Sequence, residues 1–252
     1  MAAKIITFIN EKGGIGKTST CFNVAWELSN RKKILMLDMD GQRANLTYFC
    51  GIQKPDDLIT VADVLKKGKY INDSIQNVKD GLDIIPANVD VADISQTVKV
   101  RKMKEVVKEI ADEYDYIFID VSPSPDWRHY LALSVSNYAL IIMLPDMTSL
   151  ESNNGILESV DEVKETTNPN LKVLGIVFNR NENRTNMSKQ VKEISDIFAE
   201  KMNTKVFKSK IRNAVALGEV AYVHVGVTEY DPKAAVAEDI RNLVEEIEKE
   251  IK

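Results

Sequence analysis

Cysteine is scarce in this chain of 252 residues: only Cys21 and Cys50 are present, too few for a disulfide framework and not spaced as a metal pattern. Long apolar runs are missing as well. None approaches the ~18 residues a helical membrane span needs. Low-complexity tracts, internal repeats and linkers are absent too, so the expectation is one domain over residues 1–252. The first β-type run begins at Lys4, which leaves no room for a signal peptide, and the expected location is cytoplasmic. An excess of positive charge is also lacking, with a net charge of −5 and a pI near 5.3. Any nucleic-acid contact therefore has to come from a local basic patch.

What is present is concentrated near the start. Lys4–Ile9 is a short apolar β-type run, and Cys21, Val24, Ala25 and Leu28 recur at helical spacing. Between them lies Lys12-Gly13-Gly14-Ile15-Gly16-Lys17-Thr18-Ser19, a glycine-rich loop joining a strand to a helix N-terminus. Free backbone N–H groups and the helix dipole favour phosphate there; Lys17 can reach the β- and γ-phosphates, and the Thr18 hydroxyl can face Mg²⁺. Ser19 reads more as a helix residue than as a ligand. Cys21 falls on the apolar face of that helix and reads as a buried thiol.

Further β-type runs at Ile34–Leu37, Leu82–Ile85, Tyr116–Ile119, Tyr138–Leu144 and Val173–Phe178 alternate with helical patterns. That alternation predicts an α/β fold, a mostly parallel twisted sheet with helices on both faces. Thr60–Lys67 and Val89–Ala111 read as helices. Tyr116–Ile119 ends in Asp120, a Walker B pattern whose carboxylate holds Mg²⁺ through water. Asp38 and Asp40 follow Ile34–Leu37, at the strand ends where such sheets place their ligands. Phe178-Asn179-Arg180 ends a strong strand. Asn179 fits either a strand-end cap or a base ligand, and Asn179 to Glu182 faintly echoes a guanine signature, so spacing alone leaves GTP open beside ATP.

The loop lacks the first glycine of a strict Walker A motif and carries an additional lysine, Lys12, five residues before Lys17. Lys-Gly-Gly-x-Gly-Lys-Thr resembles the deviant Walker A loop of the ParA/MinD superfamily of P-loop ATPases. Asp38-Met39-Asp40-Gly41-Gln42 with Asn45-Leu46-Thr47 resembles that family's switch I, with Gly41 replacing a proline and one apparent extra residue after Gln42. Val121-Ser122-Pro123 resembles switch II, with Ser122 replacing the first of two prolines. Ile211-Arg212-Asn213, Leu217-Gly218-Glu219 and Tyr230-Asp231-Pro232-Lys233 look like the closing segments of short partition ATPases of the ParA type.

The resemblance implies ATP with Mg²⁺ and a nucleotide-dependent homodimer in which Lys12 contacts the partner's nucleotide. It also implies that Asp40 positions the attacking water and that Asp38 supports the metal through its hydration shell. The implied catalytic residues are Lys12, Lys17 and Asp40. Nucleotide contacts run from Lys12 through Gly13, Gly14, Ile15, Gly16, Lys17, Thr18 and Ser19 to Asp38, Asp120 and Asn179, and the metal falls to Thr18 and Asp120. Iron–sulfur relatives need suitably placed cysteines, and neither cysteine lies near the later loops.

The implied function is a switch for plasmid or chromosome partition: the ATP dimer binds double-stranded DNA non-specifically, at the nucleoid, and a ParB-like adaptor with a basic segment stimulates hydrolysis. Lys201, Lys205, Lys208, Lys210 and Arg212 form a stretch without an acid, preceded by Arg180, Arg184, Lys189 and Lys192. Lys208, Lys210 and Arg212 are the candidate DNA contacts, with solvated surface charge as the alternative. Lys99, Arg101, Lys102 and Lys104 fit the wet face of a helix. A MinD-like membrane-cycling ATPase needs a basic amphipathic tail, whereas Glu245, Glu246, Glu248 and Glu250 surround the apolar stripe Ile240, Leu243, Val244, Ile247 and Ile251. Such a tail repels anionic lipid and reads as a helix packed on the sheet. A metabolic P-loop enzyme and a non-hydrolysing scaffold are the remaining alternatives.

Overall fold

The computed structural model describes residues 2–41, 46–146, 153–181 and 189–251. Its strands are β1 (Lys4–Ile9), β2 (Ile34–Met39), β3 (Gln76–Lys79), β4 (Leu82–Ile85), β5 (Tyr116–Val121), β6 (Tyr138–Met143), β7 (Lys172–Asn181) and β8 (Val206–Arg212). They form one sheet in the order β3-β4-β2-β5-β1-β6-β7-β8. Only the β3–β4 pair is antiparallel among the described residues. The inner strands are apolar on both faces, as strands covered by helices on both sides must be.

One face is covered by α1 (Lys17–Leu28) and the final helix Ala235–Glu250, together with the short helices Ala216–Val223 and Val227–Tyr230. The other is covered by Val61–Lys67, Val100–Ile110 and Trp127–Val135, and further along by Asn153–Thr166 and Lys189–Lys201. The final helix buries the stripe read from the sequence, with Ile240, Leu243 and Ile247 fully enclosed. Each such side chain contributes about 1.5–3 kcal/mol, so the acidic helix is fixed on the sheet by its apolar face.

The sheet places the site. β1 lies between β5 and β6, and the chain runs out to one side from β1 and to the other after β5, so the C-terminal ends of these strands are a topological switch point. Asp38 and Asp120 are register partners on β2 and β5, and Phe8 is paired with Asp120 on the other side.

One local expectation is corrected, and two strands are added to the sequence reading. Val89–Ala111 is not one helix: a 3₁₀ turn spans Val89–Asp93 and a separate helix spans Val100–Ile110. The Asn88 side chain accepts from the Asp90 N–H, Ser95 and Thr97 bond to each other, and the Val98 N–H turns back to Ser95. Short polar side chains there compete with helical bonding. β3, four polar or half-buried residues, lacks a periodic signal. β8 was read only as a basic stretch; its buried residues Phe207 and Ile211 are too few to stand out among the lysines.

Candidate functional site

The phosphate loop leaves β1 at Asn10, whose side chain donates to the Ile142 carbonyl at 2.7 Å and accepts from the Lys12 N–H at 2.8 Å. This anchors the loop start to β6. The helix begins at Lys17 without a side-chain cap, so its first N–H groups stay available to an anion. Gly16 has φ 92°, and a Cβ there would lie 2.1 Å from Asn179 Nδ2. Only glycine fits both the conformation and the approach.

Asn179 itself is buried at the end of β7. Its amide donates to the Ile15 carbonyl at 2.6 Å, and its oxygen accepts from the N–H of Arg180, which has φ 52°. It braces the phosphate loop against β7, a tertiary contact that neither sequence reading of this residue contained. Glu182 lies outside the described residues.

Lys17 is 6% exposed, and burial lowers its pKa while Asp120 and Asp40 pull it back up. Thr18 donates its hydroxyl proton to Asp120 Oδ2 at 2.6 Å, which leaves the Thr18 lone pairs free to face a cation. Asp38 is fully enclosed. It accepts from the Asp40 N–H at 3.0 Å, the Thr47 N–H at 2.9 Å and the Thr47 hydroxyl at 2.6 Å. That hydroxyl in turn accepts from the Ala87 N–H at 2.8 Å. Asp38 is thus the post to which the segment after Asp40 is tied. Gln42 to Asn45 lie outside the described residues. Gly41 is explained by crowding, because a Cβ would lie 2.7 Å from the Ala92 backbone nitrogen of the 3₁₀ turn.

Burial pushes Asp38 up to about 6, against its three hydrogen bonds. Asp120 is pushed up to about 8, by burial first and then by the charge of Asp38, with Thr18 and Lys17 opposing. Three enclosed carboxyls against one enclosed ammonium leave the site short of positive charge.

That shortage is the test for Mg²⁺, which the fold family implies. Asp120 Oδ1 has no hydrogen-bond partner among the described residues, and hydroxyl plus carboxylate oxygens suit a hard cation. No cluster of three or more His, Cys, Asp or Glu poised to hold a metal is found among the described residues. The residues fit a cation that arrives with phosphates and water, held by Thr18 and Asp120.

Lys12 extends from the loop to Asp146 beyond β6, with Nζ 3.6 Å from Oδ1 and both side chains partly exposed. It is therefore at the rim, where another molecule can reach it. Ser19 Oγ and Ser122 Oγ are buried without partners among the described residues.

The basic edge differs from its sequence image. Arg212 holds Asp239 through Nε–Oδ2 at 2.6 Å and Nη2–Oδ1 at 2.7 Å, and Lys205 holds Glu250 at 2.6 Å. Glu246 accepts from the backbone N–H groups of Lys208 and Ser209. The acids that the stretch lacks in sequence come from the final helix. The Lys208 side chain is exposed and that of Lys210 half-buried. Arg184 lies outside the described residues.

Comparison with known proteins gives the family and the fold. A family model described as an AAA domain matches residues 3–173. The virulence plasmid ParA family protein pGP5-D of Chlamydia psittaci is 30% identical, over 98% of this chain and 95% of its own. The sporulation initiation inhibitor protein Soj of Bacillus subtilis (strain 168) is 32% identical, over 97% and 98%. A putative plasmid partition protein from Borrelia burgdorferi B31, solved bound to AMPPNP, is 25% identical with a TM-score of 0.80, over 98% and 99%.

Proposed function

Because this chain belongs to the ParA family of P-loop partition ATPases, we propose that it is an ATP-dependent dimerising switch that segregates plasmid or chromosomal DNA. The observation that carries the reading is the enclosed set of Lys17, Asp38, Asp40 and Asp120 around a glycine-rich loop, with Lys12 at its rim. ATP is the nucleotide, with its phosphates against the loop from Gly13 to Ser19. Mg²⁺, when bound beside Thr18 and Asp120, supplies the positive charge that the carboxyls lack and neutralises charge developing on the phosphates.

The protein's own groups divide the remaining work. Lys17 stabilises the terminal phosphoryl group, and its burial strengthens that interaction. Asp40, 8% exposed, orients the attacking water. Asp38 acts through its grip on Asp40 and Thr47. Lys12 leaves Asp146 for the nucleotide of the partner protomer, which makes dimerisation dependent on the triphosphate. Asn179 braces the loop.

The dimer binds double-stranded DNA non-specifically at the nucleoid, and a ParB-like adaptor with a basic segment accelerates hydrolysis and separates the protomers. Lys208, Lys210 and Arg212 are the proposed phosphate contacts, though Arg212 meets DNA only by sharing or leaving Asp239. No helix among the described residues is long and apolar enough to cross a membrane, and the acidic final helix opposes a lipid-binding cycle.

The test is binding of unrelated duplex DNA with ATP·Mg²⁺ and with ADP·Mg²⁺ at low and moderate salt. Binding with ATP alone, falling steeply with salt, is the expected result. Equal binding in both states, or none, overturns the reading.

A further inference from the structure

The end of β5 carries more unmet hydrogen-bonding capacity than the function above uses. Asp120 Oδ1, Ser122 Oγ and both ring nitrogens of His129 are buried without a well-formed hydrogen bond among the described residues. The Asp120 oxygen is accounted for by a cation. The hydroxyl and the imidazole are not. Ser122 is 0% exposed and His129 2%, and a native protein rarely encloses such groups unless something satisfies them in the working state.

Their location is informative. Ser122 stands where the resembled family carries proline, so the chain has introduced a donor at a position that otherwise has none. The next residue, Pro123, lies 3.8 Å from where a Cβ of Gly13 would be, which sets this turn directly against the phosphate loop. His129 opens the helix Trp127–Val135 from its first turn, and the Ser122 backbone is close enough to favour its protonated form. Burial, followed by the charges of Lys17 and Arg128, nevertheless holds His129 down to about 4, so the ring is neutral at physiological pH. Lys17, Ser122 and His129 are thus all enclosed, and the charge of Lys17 and the backbone of Ser122 both act on the imidazole.

The end of β5 is rich in donors: an ammonium, a hydroxyl and an imidazole N–H. A second cation does not suit it, because Lys17 and Arg128 already repel charge on the ring. A group with several acceptor lone pairs does. In a phosphate-loop site the backbone N–H groups cradle the inner phosphates and the loop lysine reaches outward, so the acceptor beyond Lys17 is the terminal phosphoryl group.

We propose that the Ser122 hydroxyl donates a hydrogen bond to the terminal phosphoryl group of the bound nucleoside triphosphate, with the His129 imidazole as the positioning residue behind it. The inference rests on the nucleotide-switch reading above. It gives this chain a side-chain means of telling tri- from diphosphate, which a proline at the same place does not offer.

The experiment compares affinities for AMPPNP and ADP, both with Mg²⁺, in the wild type and in Ser122→Ala, Ser122→Thr, His129→Gln and His129→Phe, alongside melting temperatures. Ser122→Ala is expected to lose about tenfold in AMPPNP affinity, the scale of one hydrogen bond to a charged group, with ADP affinity and melting temperature unchanged. Ser122→Thr keeps the hydroxyl and the discrimination. His129→Gln retains more of the AMPPNP preference than His129→Phe. Unchanged discrimination in Ser122→Ala overturns the proposal, as does an equal loss for both nucleotides together with a lower melting temperature, which marks a packing role. A wild type that binds neither nucleotide instead removes the switch reading itself.

Discussion

The phosphate loop and the edge strand β8 both look basic in sequence, yet the structure treats their cations in opposite ways. At the loop, Lys17 is enclosed among Asp38, Asp40 and Asp120, and the acids outnumber it. Along β8, Lys205 and Arg212 are met by Glu250 and Asp239 from the final helix, on a surface that water reaches. The same residue types thus do different work. Buried charge that is left short of a partner attracts a ligand, whereas exposed charge already paired is worth little.

Lys17→Ala breaks the first half of the contrast and has the largest expected effect. It leaves three enclosed carboxyls without their cation, and calorimetry is expected to show ATP affinity at least about 100-fold weaker. Next comes Asp40→Ala, which leaves binding and traps the ATP dimer; single-turnover hydrolysis is expected to fall by about 10²-fold or more. Retained hydrolysis in that variant removes Asp40 from the water-positioning role. Lys12→Ala tests the rim lysine: nucleotide binding persists while light scattering shows ATP no longer producing a dimer.

The β8 half calls for smaller effects. Lys208→Ala with Lys210→Ala is expected to flatten the plot of log affinity for DNA against log salt by about one unit per lost phosphate contact. Arg212→Ala, by contrast, is expected to cost about 1 kcal/mol of stability in denaturant unfolding, because its Asp239 partner is largely enclosed. If Arg212→Ala flattens the salt plot as the lysines do, the ion-paired arginine and the two lysines of this edge are not distinct.

Acid gives the mildest probe. Burial raises the Glu246 pKa, but the N–H groups of Lys208 and Ser209 outweigh it and hold the carboxyl below its usual 4.5. The folded pKa is depressed, so this stabilisation is fully present above about pH 4.5 and fades as the pH falls through the folded value. Protection of the Lys208 and Ser209 amides, taken relative to their intrinsic exchange rates, is expected to fall in that window, and Glu246→Gln to remove the dependence.

These cases also mark what the sequence could say. The phosphate loop, the strand ending at Asp120 and the apolar stripe of the final helix were legible because each is a local pattern with a fixed period or spacing. The break after Asp93 was not, since Asn88, Ser95 and Thr97 act through side-chain bonds that hydrophobic periodicity ignores. β8 was hidden for another reason. Its neutralising acids sit 27 to 45 residues away, between Asp239 and Glu250, and only folding brings them alongside. Asn179 is the sharpest instance: the residue was visible, but its partner Ile15 lies 164 residues earlier.

The hydroxyl of Thr47 has one proton, and it goes to Asp38 while the Ala87 N–H points at the same oxygen. One atom therefore joins two places at once, the β2 end and Ala87, two residues after β4. Removing that oxygen takes away a donor to Asp38 and the acceptor of the Ala87 N–H together, so a single side chain couples the two places. One hydroxyl thus serves as a shared rivet between the end of one strand and the loop that follows another.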